Sequence, residues 1–403
     1  MTGSRVLLGV AGGIAAYKAA ELLRLLTEAG HDVTVVPTPA ALRFVGAATF
    51  AALSGHPVAS DVWTGVDEVR HVRIGQDAEL VVVAPATADL LARAAIGRAD
   101  DLLTASLLVT RAPLLFVPAM HTEMWLHPAV RANVVTLRAR GAVVLEPAVG
   151  RLTGGDSGQG RMPEPAAIAA VARRMLGGGH RPADLAGRRV VITAGGTREF
   201  LDPVRFLGNA SSGRQGYAFA TTAVARGAQV TLISANVSLA DPAGVEVVRV
   251  VSTEELRAAV VAGAEVADAV VMAAAPADFR PVAFSPEKIK KSADASAPTI
   301  ELTLTPDIAA EVGRNRRPGQ TLVIFAAETS DTLERGRAKL AAKNADFVVV
   351  NDVSGGRVFG AATNAATVIG PGGRMVEIPE CGKEDLADQI WSLVFGRGPG
   401  SSG

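Results

Sequence analysis

The sequence predicts an open α/β fold in two halves, and three observations carry that prediction. The strands are apolar throughout instead of alternating, as in Leu80-Val81-Val82-Val83 and Val190-Val191-Ile192-Thr193. They are separated by Ala- and Leu-rich helical runs, the grammar of a parallel sheet covered on both faces. A strand, a glycine break and a helix also occur twice, at 6–29 and at 190–226. That unit is how an α/β sheet presents backbone N–H groups to an anion.

In the first half, Val6–Val10 reads as a strand and Ala15–Ala29 as a helix. On that helix Lys18, Glu21, Arg24 and Glu28 mark one face, and Ala19, Leu22, Leu23 and Leu26 the other. This amphipathic continuation argues against a signal peptide over the apolar start. Gly30-His31-Asp32 turns into the strand Val33–Pro37. Further strands are expected at Leu80–Ala84, Leu114–Pro118 and Ala142–Glu146, with helices at Ala88–Ile96 and Asp101–Thr110. The uncharged stretch Phe44–Ser60 is too short for a bilayer helix of about 20 residues and is expected to be buried structure. Gly150–Glu164 reads as a Gly-rich loop long enough to be a lid, and Ala166–Leu176 as a closing helix.

The second half repeats the pattern. Strands are expected at Val190–Thr193, Gln229–Ser234, Ala269–Met272, Leu322–Ala326 and Phe347–Asn351. Helices fall at Tyr217–Arg226, Thr253–Ala262, Asp331–Lys343 and Lys383–Val394. Thr299–Leu304 and Met375–Ile378 read as strands, the first alternating. These boundaries give a domain at 1–180, a linker at 181–187, a second domain at 188–395 and a Gly/Ser-rich tail at 396–403 expected to be disordered.

The 403 residues suit two domains of about 200 residues each, and 49% hydrophobic residues allow real cores. Lysine plus arginine and aspartate plus glutamate are 40 each, which gives no electrostatic case for nucleic acid or an anionic membrane. A single cysteine, Cys381, excludes an intramolecular disulfide and a cysteine-built zinc site. A soluble cytoplasmic protein is the expectation.

Polar or small residues gather where strands end, the position at which α/β sheets bind ligands. Gly12-Gly13 lacks the G-x-G-x-x-G spacing and serves either a phosphate or turn geometry alone. His71, just before a strand, is either a surface residue or a functional one. Ala84–Thr87 and Pro118–Trp125 each follow a strand; the second is either a site wall or a turn with Met120, Met124 and Trp125 in the core. In the second half, Lys288-Ile289-Lys290-Lys291 is either a solvated face or, with Arg205, Arg214, Lys339 and Lys343, a cation group able to meet a triphosphate. Asp278 could hold a magnesium ion bridging phosphate oxygens.

Together these segments resemble the family of bifunctional coenzyme A biosynthesis proteins, which join phosphopantothenoylcysteine decarboxylase to phosphopantothenate–cysteine ligase. The resemblance rests on GGIAAYK at 12–18, His71, APATAD at 84–89, PAMHTEMW at 118–125, GGTREFLDPVR at 195–205, NASSGRQG at 209–216, ADFRP at 277–281, EKIKK at 287–291 and FAAET at 325–329. It covers the chain apart from the tail. It implies two Rossmann-like domains, the first flavodoxin-like and FMN-binding, the second a CTP-dependent ligase. FMN would lie near Gly12, Gly13, Thr38, Ala86 and Thr87, with His71 as catalytic base. The flavin would take and return a hydride, so that carbon dioxide is lost β to a carbon–sulfur double bond. In the ligase half, CTP would activate 4′-phosphopantothenate as an acyl-cytidylate that the amine of L-cysteine then attacks. Asn209 would hold that intermediate. Asp278, Lys288, Pro306, Asp307, Ile308, Ala309, Phe325, Lys339 and Lys343 would surround CTP, with Mg2+ at Asp278 and Lys288 as the activity-sensitive cation.

Two positions depart from the family pattern. His121 stands where the family usually carries an asparagine that helps hold the substrate carboxylate. Gly154 stands where many members carry a flap cysteine as proton donor, so His121 or a water is expected to serve instead. The resemblance also implies trimeric decarboxylase halves and dimeric ligase halves, which close together as a dodecamer. Two alternative readings compete with this one. An active ligase fused to a non-catalytic flavin-binding domain would fit the missing cysteine, while His71 argues against it. A nicotinamide oxidoreductase is disfavoured by the absent G-x-G-x-x-G.

Overall fold

The computed structural model describes residues 3–58, 70–151, 156–177, 183–290, 299–328, 332–352 and 363–396. Gly154, Lys291, residues 181–182 of the expected linker and the tail beyond 396 lie outside these residues. The chain divides into two compact units, one built mainly on residues 1–187 and the other on most of 188–403.

The first unit runs β1 (Arg5–Val10), α1 (Ala16–Glu28), β2 (Asp32–Pro37), α2 (Ala47–Ser54), α3 (Arg70–Asp77), β3 (Leu80–Ala86), α4 (Ala88–Ile96), α5 (Leu102–Val109), β4 (Leu114–Pro118), α6 (Thr122–Leu126), α7 (Pro128–Ala139), β5 (Val143–Val144), β6 (Ala148–Arg151), β7 (Ser157–Arg161) and α8 (Pro165–Gly177). Its sheet has the order β2-β1-β3-β4-β5, all parallel. This is the flavodoxin-like order, whose strand direction of travel reverses between β1 and β3. The apolar strands are explained by burial on both sides. Leu7, Val81, Val83 and Phe116 face one core with Leu90, Leu103, Trp125 and Val134, and the intervening Val6, Leu8, Val82 and Leu115 are also buried.

The second unit runs β8 (Arg189–Gly195), β9 (Arg198–Phe200), β10 (Phe206–Gly208), α9 (Arg214–Ala225), β11 (Gln229–Ala235), β12 (Val245–Val250), α10 (Thr253–Ala264), β13 (Ala269–Met272), β14 (Phe279–Pro281), β15 (Leu302–Leu304), α11 (Ile308–Arg314), β16 (Thr321–Glu328), α12 (Thr332–Ala342), β17 (Phe347–Asp352), β18 (Thr363–Ile369), β19 (Met375–Gly382) and α13 (Lys383–Phe395). The main sheet is ordered β12-β11-β8-β13-β16-β17-β18-β19. Its first six strands follow the doubly wound order that reverses between β8 and β13. β8, β13, β16 and β17 pair in parallel, and β18 and β19 extend the edge antiparallel.

Several expectations change. His71 does not precede a strand directly but lies in the first turn of α3, a polar helix of only eight residues. The Phe44–Ser60 stretch, described over residues 44–58, is only partly buried: Val45 and Phe50 are buried, while Phe44 is 51% exposed. The Gly-rich loop after Gly150 holds an antiparallel pair, β6 with β7. Glycines hide such a strand from propensity because backbone pairing alone makes it. Thr299–Leu304 contributes only Leu302–Leu304, which pairs with β14 as an exposed hairpin outside the main sheet. Ala142–Glu146 shortens to two paired residues at the sheet edge.

Candidate functional site

In the first unit the switch point brings the β1 and β3 ends together. The Ala11 N–H donates to the Pro85 carbonyl at 3.2 Å, and the Thr38 N–H to the Val10 carbonyl at 2.9 Å. A Cβ on Gly12 would sit 2.8 Å from the Ala40 carbonyl carbon, so this turn needs glycine for close backbone approach. Two clefts open around the ridge it makes. One of about 470 Å³ is lined by Gly13, Tyr17, Lys18, Thr87, His121 and Arg161, among others. The other, about 520 Å³, is lined by Gly12, Thr38, Thr87 and Arg93, among others. Four of the five expected flavin residues therefore line one cleft or the other, and Ala86 is buried at the end of β3 beneath them.

The local structure suits an anionic, planar cofactor. Among the described residues no side chain caps α1; its Ala16 and Lys18 N–H groups donate to the Gly13 and Ala15 carbonyls at 2.9 and 3.0 Å, and the helix start presents its positive end to a phosphate. Thr122 Oγ1 and Trp125 Nε1 are buried without a partner among the described residues. Lys18 is a buried lysine whose Nζ donates to the Met162 carbonyl and to Glu164 Oε1, both at 3.1 Å. It fastens α1 to the chain leaving β7. That hairpin in turn approaches the PAMHTEMW segment, with the Met120 N–H donating to the Gly160 carbonyl at 3.0 Å.

His121 reaches the rim of the 470 Å³ cleft. It pairs with Glu123 and lies 3.5 Å from Asp156. The Glu123 hydrogen bond and charge, aided by Asp156, raise its pKa above the ordinary imidazole value. His71 lines neither cleft of its own chain.

In the second unit the β8–β13 switch point is built by glycines and a buried polar relay. Gly195 has φ +87°, and a Cβ there would sit 2.0 Å from the Ala235 carbonyl oxygen. A Cβ on Gly196 would meet the Asn209 carbonyl oxygen at 2.4 Å. Asn209 Nδ2 donates to the Pro276 carbonyl at 2.8 Å, which ties the NASSG segment to the turn after β13. The relay fixes that turn. The Ala277 N–H donates to Thr197 Oγ1 at 2.8 Å; Thr197 and Thr253 hydroxyls lie 2.9 Å apart; Thr253 donates to Glu199 Oε1 at 2.7 Å from its hydroxyl and 2.8 Å from its N–H. A carboxylate that accepts twice orients every donor toward itself, so Thr253 accepts from Thr197 and Thr197 from Ala277.

The same turn continues into Asp278, which is exposed and whose carbonyl accepts from the Thr305 N–H at 3.1 Å. The expected 306–309 segment follows. Asp307 caps α11 through the Ala310 N–H at 3.0 Å and pairs with Lys343. Phe325 packs edge-on to Phe219, with ring centroids 5.8 Å apart. Lys339 lies in the last turn of α12, four residues before Lys343. Lys288 is exposed. Its loop is anchored by Asp202, a buried carboxylate that accepts the Val204, Arg205 and Ile289 N–H groups at 2.8, 2.8 and 3.1 Å. Burial pushes the Asp202 carboxyl up, but those amides and the Arg205 guanidinium outweigh it and hold it below the usual carboxylate value. Asp202, Glu199, Thr253 and Lys18 are the residues that sequence reasoning missed as functional supports. Glu199 and Asp202 lie inside the GGTREFLDPVR signature, which signalled them without a role; Thr253 carries no motif.

Among the described residues no group of three or more His, Cys, Asp or Glu could hold a metal, so Asp278 does not by itself make a protein-built centre. Nor is any described helix long and apolar enough to cross a membrane.

The flavoprotein family model matches residues 1–177, and that of the DNA/pantothenate metabolism flavoprotein C-terminal domain matches 185–396. The coenzyme A biosynthesis bifunctional protein CoaBC of Mycobacterium tuberculosis (strain ATCC 25618 / H37Rv) is 56% identical over 401 residues, covering 97% of this chain and 96% of that protein. The protein of the same name from Bacillus subtilis (strain 168) is 43% identical over 389 residues, covering 96% and 95%. A solved C-terminal domain of a CoaBC protein is 36% identical over 53% of this chain and 96% of that one, with a TM-score of 0.46. The chain belongs to the family of bifunctional coenzyme A biosynthesis proteins, CoaBC.

Proposed function

We propose that the two switch points carry consecutive reactions. At the second, the carboxylate of 4′-phosphopantothenate attacks the α-phosphorus of CTP and pyrophosphate leaves. The cysteine amine then attacks the acyl carbon of the acyl-cytidylate and CMP leaves. Asn209, already held against Pro276, is positioned to hold that intermediate. Lys288, Lys339 and Lys343 supply cations for the triphosphate, and Asp278, Pro306, Asp307, Ile308, Ala309 and Phe325 line the nucleotide. Mg2+ would enter with CTP and be met by Asp278 as one ligand, since the described residues build no metal cluster of their own.

At the first switch point, 4′-phosphopantothenoylcysteine is decarboxylated to 4′-phosphopantetheine. Bound FMN supplies a hydride acceptor and donor next to the cysteinyl carbon. The chain's part is to hold the flavin phosphate at the uncapped start of α1, beside Gly12, Gly13 and Thr38, and the ring along Ala86 and Thr87. His121, whose pKa Glu123 and Asp156 raise, donates the final proton from the cleft rim. His71 acts as base; because it lines neither cleft of its own chain, a second copy is needed to complete the site, in keeping with a trimeric first domain and a dodecamer overall.

The observation that carries this reading is that both points of strand-order reversal are built from the segments that define the family. A coupled assay from 4′-phosphopantothenate, cysteine and CTP tests it by following CMP and carbon dioxide together. CMP without carbon dioxide from flavin-loaded protein would leave a ligase fused to a non-catalytic flavin domain.

A further inference from the structure

Asn351 is the second-last residue of β17, at the sheet end that carries the second switch point. It is only 9% exposed, and its Oδ1 is buried with no hydrogen-bond partner among the described residues. Native proteins rarely leave such an acceptor empty, because the water it gave up is not replaced. The group that fills it must be a donor, which a phosphate is not.

Strand register gives the direction of the side chain. Asn351 lies opposite Ala327 of β16, as Val349 lies opposite Phe325. Opposed residues of parallel strands point to one side, and so do residues two apart, so Asn351 shares the face of Phe325. On that face Phe325 meets Phe219 of α9, and α9 starts at Arg214, one of the cations expected to meet the triphosphate. The other side chains assigned to CTP do not read its base. The lysines carry donors only, and Phe325 has no hydrogen-bonding group. Asp307 is committed to the Ala310 N–H and Lys343.

We propose that Asn351 reads the base of the nucleotide: its Oδ1 accepts from the 4-amino group of cytosine and so favours CTP over UTP. This deepens the ligase reading above and rests on it. Position singles out the base. Asn209 is held at the turn after β13, and β17 lies two strands further along the sheet, about 10 Å at the usual spacing. Asn351 therefore stands away from the carbon and phosphorus that react and faces the far end of a substrate. The far end of 4′-phosphopantothenate is a phosphate, an acceptor that an unpaired oxygen repels. The far end of CTP is a planar ring whose amino group supplies N–H donors. UTP presents a carbonyl oxygen at that position. A site built to bond a substrate N–H rejects the analogue lacking it far more strongly than an apolar pocket does.

The test uses the full-length enzyme with magnesium and combines two deletions. Asn351→Ala removes the side chain, and the triphosphate of the pyrimidin-2-one ribonucleoside is CTP without the amino group. In the parent, the calorimetric Kd and the KM should be roughly 10- to 100-fold higher for the pyrimidin-2-one nucleotide and for UTP than for CTP, the scale of one hydrogen bond at a buried acceptor. Asn351→Ala should weaken CTP by a similar factor, and deleting the amino group should then cost nothing further. KM for 4′-phosphopantothenate and for cysteine should stay within about twofold. Asn351→Ser keeps a polar group too short to reach; it should behave alike, and it serves where alanine unsettles the fold. A parent that binds UTP as tightly as CTP overturns the proposal. So do additive losses from the two deletions, or a rise confined to 4′-phosphopantothenate or cysteine. A parent that neither binds CTP nor releases CMP sinks the ligase reading and this inference with it; one that releases CMP with no coupling between Asn351 and the amino group sinks the inference alone.

Discussion

His121 shows how one substitution against the family pattern carries its own chemistry. Its hydrogen bond to Glu123 and the charges of Glu123 and Asp156 raise its pKa. If it is the proton donor, the active form is the protonated one, present below the raised pKa and lost as pH rises through it. Decarboxylation kcat should therefore fall with a midpoint above about 6.5, the free imidazole value, and Glu123→Gln should move that midpoint down. A His121→Ala enzyme that keeps the same pH profile would remove the donor role. The relay in the second unit makes a different prediction. Thr197→Val leaves the buried Ala277 N–H without an acceptor, a loss of about 1–3 kcal/mol, visible as a lower urea midpoint; Thr197→Ser should restore it. The family resemblance assigned Asn209 and Asp278 to the ligase half from two separate motifs, but not the relay. Hydrogen bonds between Thr197, Thr253 and Glu199 join residues 54 and 56 positions apart, and no local pattern records such a pairing.

At the scale of elements, the parallel strands were the most legible feature, because burial on both faces writes an uninterrupted apolar run. The hairpin β6–β7 was the least, since Ser157–Arg161 is glycine and polar residues held by backbone pairing. That hairpin is nevertheless set closely against the first cleft. A Cβ on Gly160 would sit 2.2 Å from the Met120 carbonyl oxygen. Gly160→Ala must push β7 away from the PAMHTEMW segment, and with it Met162 and Arg161. Decarboxylation should drop by roughly 100-fold, as for a displacement of about 1 Å in a positioned site, while the ligase rate stays unchanged. Equal loss of both rates would point to general unfolding instead. The loop between β9 and β10 depends on Asp202 in a way that pH exposes. Its carboxyl titrates lower in the folded chain than in the unfolded one, so its contribution is present above about pH 3.9 and is lost as pH falls through the folded value. Asp202→Asn should lower the thermal midpoint at neutral pH and flatten its decline below about pH 4, as followed by circular dichroism.

The whole molecule combines two sheets that wind by the same rule yet serve different ligands. Strand order reverses between β1 and β3 in one and between β8 and β13 in the other, so each crevice is dictated by topology before any side chain is chosen. The glycine turns look alike in sequence and differ in what surrounds them. Gly12 and Gly13 border open clefts beside an uncapped helix, whereas Gly195 and Gly196 are pressed against the Ala235 and Asn209 carbonyl oxygens. Each unit also has its own apolar cluster, one centred on Phe116 and Trp125, the other on Val270 and Leu322. Ligands should therefore stabilise the halves separately. FMN at about 100 times its Kd should add about 2.7 kcal/mol to the unit that binds it, moving one calorimetric transition and leaving the second in place. CTP with Mg2+ should move the second and leave the first. A single transition displaced by either ligand would show that the two cores unfold as one cooperative structure, and the reading of two independent ligand-binding units would be wrong.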